Sequence, residues 1–194
     1  MARKPKSRLQ TPADNRLNKA QRKLRDGIFA TRPGMKKLDG PFAIWLHAPE
    51  FGNLAQQVGA YCRYKTSLPP RLSEFTILAT ARMWRAQYEW HAHAPLAERA
   101  GVSARTISDV RSGRYPKAAK PDERAIYDLV TELYRSKRVS DKTYQRAAKI
   151  FGTAGMVELV GILGYYALIS MTLNVFNAEV PAGHALPLPE PKIR

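Results

Sequence analysis

The chain has 194 residues, 44% of them hydrophobic and 25% charged, which suits one well-buried core with tails and excludes a disordered polymer. Lys and Arg number 32 against 16 Asp and Glu, a net charge of +16, and a single cysteine, Cys62, excludes an intramolecular disulfide and any two-cysteine redox motif within the chain. That cysteine usage fits a reducing compartment, and the basic N-terminus lacks the apolar stretch of a secretory signal, so a cytoplasmic protein is expected. Its Arg-rich, acid-poor start also leaves an organellar address open.

The charge is uneven, with 12 Lys and Arg but only 3 Asp in the first 40 residues. A solvated tail explains such a run, and so does an arm that holds nucleic acid or anionic lipid by releasing counterions. After a tail over residues 1–13, Leu17, Ala20, Leu24 and Ile28 recur at helical spacing among Lys, Arg and Gln. The stripe is narrow, so this helix should lie on a surface. Arg32-Pro33-Gly34 and Asp39-Gly40-Pro41 are turn chemistry, and residues 1–39 are set apart as a basic tail and surface helix.

The main domain is expected over residues 40–177. A helix begins near Ala48-Pro49-Glu50 and runs to about Tyr64, Leu68-Pro69-Pro70 breaks the chain, and Leu72, Phe75, Ala79 and Met83 mark a long helix from Pro70. Another spans about Gln87 to Ala100. Ser103 caps a short helix ending near Gly113, Ala125, Leu129, Val130 and Leu133 form an amphipathic one, and Ser140 caps the next. No stretch alternates with period two, so the fold expected is all-α, a compact bundle of about six to eight helices.

The nearly unbroken apolar stretch from Met156 to Phe176 is long enough to span a bilayer. Glu158 and Asn174 make it less apolar than a typical span, and a helix apolar all round also suits the centre of a helical domain or a subunit interface. The segment 153–176 is therefore placed at the centre, assembling subunits, with no membrane span. Glu158, if buried there, needs a partner. Residues 178–194 form a Pro-rich, non-helical extension.

The stretch that carries chemistry is Tyr88-Glu89-Trp90-His91-Ala92-His93. Glu89 and His93 are four apart, so they share one helical face, whereas His91 points elsewhere. A carboxylate beside an imidazole raises its pKa or fixes its tautomer, and either suits proton transfer near neutral pH. The pair alone is a common surface motif, and no third ligand supports a metal. Trp84, Tyr88 and Trp90 wall a pocket or fill the core, and of Tyr165 and Tyr166 only one can face the site.

In ordered blocks the sequence resembles the carboxymuconolactone decarboxylase and alkylhydroperoxidase-like superfamily. The blocks are Gly40-Pro41-Phe42 with Leu46 to Glu50, Leu68-Pro69-Pro70-Arg71-Leu72-Ser73-Glu74 with Ala79 to Arg82, Tyr88 to His93, and Val157 to Asn174. The peroxidase branch carries a glutamate, then Cys-x-x-Cys, then a histidine four residues after the second cysteine. With His93 on that histidine, Glu74 falls on the glutamate, and Ala86 and Glu89 take the cysteine positions. Dithiol peroxidase chemistry lacks its thiols. The resemblance implies instead an oligomeric lyase of the decarboxylase-like branch, active without a cofactor on a small acid or lactone from the catabolism of aromatic compounds. It casts His93 as the acid, Glu74 as its orienting partner and Glu89 as sharing its proton, with His47, Arg82, Tyr88 and Trp90 as substrate contacts. The competing reading is a non-catalytic binding protein that uses the fold as an oligomeric scaffold and the basic arm to hold nucleic acid or an acidic partner.

Overall fold

Eight α-helices and one short 3-10 turn, Asp14–Arg16, make up the regular structure among residues 6–189, the part of the chain described by the computed structural model. In chain order these are α1 (Lys19–Thr31), α2 (Gly40–Trp45), α3 (Pro49–Tyr64), α4 (Pro70–Trp84), α5 (Gln87–Arg99), α6 (Ala104–Arg111), α7 (Pro121–Ser136) and α8 (Asp141–Val175). The described residues contain no strand, as the absence of alternation predicts.

Local chemistry sets the helix starts. Asn18 and Gln21 form a reciprocal capping box at α1, each side chain accepting from the other's backbone N–H at 2.9 Å. Proline occupies the first position of α3, α4 and α7, where its missing N–H costs nothing. Ser103 and Ser140 cap α6 and α8. Arg85 ends α4 in the left-handed region at φ 50°, and Ala86 donates back to the Ala81 carbonyl at 2.9 Å, so α5 follows at once and packs against α4.

The centre of the molecule is α4, not the apolar segment 153–176 expected there. Every residue from Leu72 to Ala81 is buried, and α5, α7 and α8 all pack on this helix. Thr76 and Thr80 tolerate the position because each hydroxyl donates to the carbonyl four residues back, at 2.7 and 2.9 Å. Helix α8 is two-faced: Leu159, Ile162, Leu163, Ile169 and Leu173 enter the core, whereas Val157, Val160, Met171 and Val175 stand exposed. Composition cannot separate an apolar core face from an apolar surface face, and this is why the sequence misplaces the helix. It is interrupted at Gly152 (φ 65°, ψ 176°), and it is long and apolar enough to cross a membrane, with half of its most apolar window buried inside the domain. Glu158 sits at the protein surface, where it accepts from Ser67 N (2.7 Å), Ser67 Oγ (2.5 Å) and Tyr61 Oη (2.9 Å), tying α8 to α3 and the loop before α4.

The basic N-terminal helix lies on α3 with Leu24 and Ile28 fully buried, so the core is continuous through residue 40. Upstream, Arg8 donates from its backbone to the Phe176 carbonyl at 3.0 Å and from its guanidinium to the Val175 carbonyl at 2.7 Å, holding this segment to the end of α8. At the other terminus the Leu188 backbone pairs with the Gln87 side chain at 2.8 and 2.9 Å, drawing the Pro-rich extension back to the start of α5.

Candidate active site

Glu74 stands in the early turns of α4, and Glu89 and His93 lie one turn apart on α5, so the packing of these two helices brings three titratable groups together. His93 Nδ1 is 2.6 Å from Glu74 Oε2, and His93 Nε2 is 3.1 Å from Glu89 Oε1. All three side chains are buried. Burial alone would push the imidazole toward its neutral form, but the Glu89 charge, the hydrogen bond to Glu74 and the close Glu89 oxygen outweigh it, and the His93 pKa rises to about 9. His93 is therefore an imidazolium at neutral pH. The contact to Glu89 is close but poorly aligned, and Glu89 Oε1 receives no well-formed hydrogen bond despite its burial. Glu89 and His93 stand beside an empty space.

The space is a cavity of about 120 Å³. Glu89 and His93 form one wall, Tyr165, Tyr166 and Ile169 of α8 another, Gly59 and Arg63 of α3 a third, and Arg32, Met35 and Phe42 close it from the N-terminal side. The Tyr166 ring packs edge-on against His93 with centroids 5.4 Å apart, and burial pushes its phenol well above the ordinary range. Arg63 Nε reaches to 3.8 Å from Glu74 Oε1. Gly59 is required by the packing: a Cβ there would lie 2.1 Å from the Tyr165 hydroxyl. Gly40, at φ 52°, plays the same part beneath Tyr88, whose ring would be 2.5 Å from an added Cβ.

Of the residues singled out from sequence, Glu74, Glu89 and His93 come together and Tyr88 lines the cavity, its phenol hydrogen-bonded to Asp39 and pushed up mainly by burial. The other three lie elsewhere. Trp90 is core, 2% exposed, and does not line the cavity. His47 is exposed and its Nε2 meets the Gln10 carbonyl at 3.1 Å, while Arg82 Nε donates to the Arg111 carbonyl at 3.1 Å. The cations at the cavity are Arg32 and Arg63, which the sequence did not signal: Arg32 reads only as part of a turn before Pro33-Gly34. Cys62 is buried in α3, its thiol pushed up by that burial, and does not line the cavity. Both imidazole nitrogens of His93 face carboxylates, and among the described residues no group of three or more His, Cys, Asp or Glu is placed to hold a metal ion.

Comparison with known proteins bears on the family and the fold. The carboxymuconolactone decarboxylase family model matches residues 49–132, a segment holding Glu74, Glu89 and His93. No curated protein matches the chain. Among solved structures the chain is similar to an alkylhydroperoxidase-core protein from Ralstonia eutropha JMP134, described as an uncharacterized peroxidase-related protein, with 17% identity over 92% of this chain and 94% of that one and a TM-score of 0.78. That likeness is one of fold. The chain thus carries a segment that matches the carboxymuconolactone decarboxylase family within a helical fold similar to the alkylhydroperoxidase core.

Proposed function

We propose that the protein is a proton-transfer enzyme of carboxy-lyase type acting on a small carboxylic acid or lactone. The observation that carries this reading is His93, a buried imidazolium held between two carboxylates at the wall of a cavity. When a carboxylate leaves as carbon dioxide, the carbon–carbon bond breaks and its electron pair stays on the substrate as an enolate. A proton must then reach carbon. The Nε2 proton of His93, passed directly or through the Glu89 carboxylate, forms the new carbon–hydrogen bond, and the imidazole regains a proton from solvent. Glu74 fixes the ring from behind and stabilises its charged form.

Thiol-peroxidase chemistry fits less well, because Ala86 and Glu89 stand where that branch has its cysteines and Cys62 does not line this cavity. A binding role for the basic arm also draws little support from its described residues, since Arg8 and Arg22 donate to backbone carbonyls and Arg25 to Asp14 and Asp26. Self-association belongs to the same proposal: Phe51, Leu54 and Val58 on α3 and Val157 and Val160 on α8 are exposed apolar side chains on two helices that pack together, a surface suited to covering by a second copy. The test is a screen of small lactones and unsaturated acids for carbon dioxide release and for exchange of carbon-bound hydrogen with D2O. Activity that disappears in His93→Ala with the helical spectrum intact supports the proposal, and activity unchanged in that variant removes it.

A further inference from the structure

A buried guanidinium with no carboxylate to balance it is costly unless something else supplies the negative charge. Arg32, at the C-terminal end of α1, is 5% exposed and lines the same cavity as Glu89 and His93. Its neighbours are neutral. Nη1 donates to Thr31 Oγ1 at 2.7 Å and Gln56 Oε1 at 3.1 Å, Nη2 donates to the Gln56 carbonyl at 3.2 Å, and the Phe42 ring centroid lies 4.6 Å from its Cζ. The Tyr165 phenol completes the surround. Among the described residues Arg32 joins no ion pair, although every other buried charge in the cavity has an opposite partner.

These neighbours orient the group without neutralising it. They fix one edge of the guanidinium and leave its positive charge at the cavity that Glu89 and His93 also line. A carboxylate is the planar anion that accepts from such a fork in two places at once. Size adds a second constraint. A cavity near 150 Å³ accommodates benzene, so about 120 Å³ holds a ligand of roughly five or six non-hydrogen atoms.

We propose that Arg32 anchors the carboxylate of the substrate, and that the substrate class is a short, planar, unsaturated monocarboxylic acid whose carbon chain lies along Phe42 toward Glu89 and His93. This deepens the proton-transfer reading of the same site and rests on it. The anchor keeps this carboxylate on the substrate: Glu89 takes a proton from the carbon next to the double bond, the electron pair spreads over the π-system as a dienolate, and His93 returns a proton to carbon, so an acid of this class exchanges hydrogen without losing carbon dioxide. Arg32 acts as a binding and positioning residue.

The experiment titrates the full-length protein with crotonate and with crotonamide, a neutral probe of nearly the same shape, by calorimetry and by ligand-observed NMR, and follows deuterium entry into crotonate in D2O in the same samples. Wild type is expected to bind the acid at least about tenfold more tightly than the amide, and Arg32→Gln to lose that preference while Arg32→Lys keeps part of it. The wild-type comparison of acid with amide stands even if Arg32→Gln folds poorly. Equal affinity for the two probes, no saturable crotonate binding by wild type, or an unchanged preference in well-folded Arg32→Gln overturns the anchor. Charge-selective binding without deuterium entry keeps the anchor and removes the proton-transfer reading; deuterium entry without charge selectivity does the reverse.

Discussion

Glu89 and His93 are 3.1 Å apart and yet share no well-aligned hydrogen bond, so the carboxylate charges the imidazole mainly through space. Neutralising that carboxylate should therefore act twice. In Glu89→Gln the His93 pKa should fall from about 9 toward its ordinary value, because the Glu89 charge is the largest influence raising it, and proton-transfer turnover should drop by about 10²–10⁴-fold. NMR titration of the His93 ring checks the first effect and deuterium exchange checks the second. Loss of turnover with an unmoved pKa would assign Glu89 a direct role and remove its electrostatic one.

The same imidazolium ties stability to pH. An exposed histidine in the unfolded chain titrates near 6.5, while His93 in the folded protein titrates near 9. Its folded-state pKa is raised, so its stabilising contribution is complete below about 6.5 and is lost as the pH climbs through about 9. Thermal denaturation followed from pH 6 to pH 10 should show a fall in Tm over that window which is absent in His93→Asn. Activity that depends on the charged acid should decline over the upper part of the same range.

The relation between sequence and structure here is set by chain distance. Glu89 and His93 are one helical turn apart, so their pairing is visible from spacing alone. Glu74 is 19 residues from His93, and only the superfamily resemblance connects the two. Arg32 reaches the cavity from a helix that reads as a basic surface element, because its burial depends on α1 docking on α3, and no periodicity in either segment announces that contact. His47 and Arg82 lie near the motif blocks in sequence, but α2 and the end of α4 carry them away from the cavity. The fold class was legible because turns, caps and helical periodicity are local. The identity of the central helix was not, since Leu72–Ala81 owes its burial to three neighbours and looks no more apolar than α8.

Gly59 supports the anchor from below. In Gly59→Ala the new Cβ would meet the Tyr165 hydroxyl at 2.1 Å, and that ring packs against both Tyr166 and Arg32, so there is little room to yield. The substitution should cost about 1–3 kcal/mol in denaturant unfolding and weaken crotonate binding by displacing the cation. A Gly59→Ala protein with wild-type stability and binding would show that Tyr165 is free to move and that it does not position Arg32.

The exposed apolar faces of α3 and α8 make the final prediction. Leu54 and Val157 are each 68% exposed, and Val58 and Val160 are more than half exposed, on two helices that pack against each other. Water contact with such a surface is unfavourable in proportion to its area, whereas these side chains contribute little to the core of their own subunit. Leu54→Asp and Val160→Asp should therefore leave the circular dichroism spectrum and the His93 titration nearly unchanged while shifting the protein to monomer in light scattering coupled to size-exclusion chromatography. If wild type is itself a monomer at every concentration tested, the faces do not mediate self-association. If the aspartate variants unfold instead, the faces belong to the core of the single chain, contrary to their exposure.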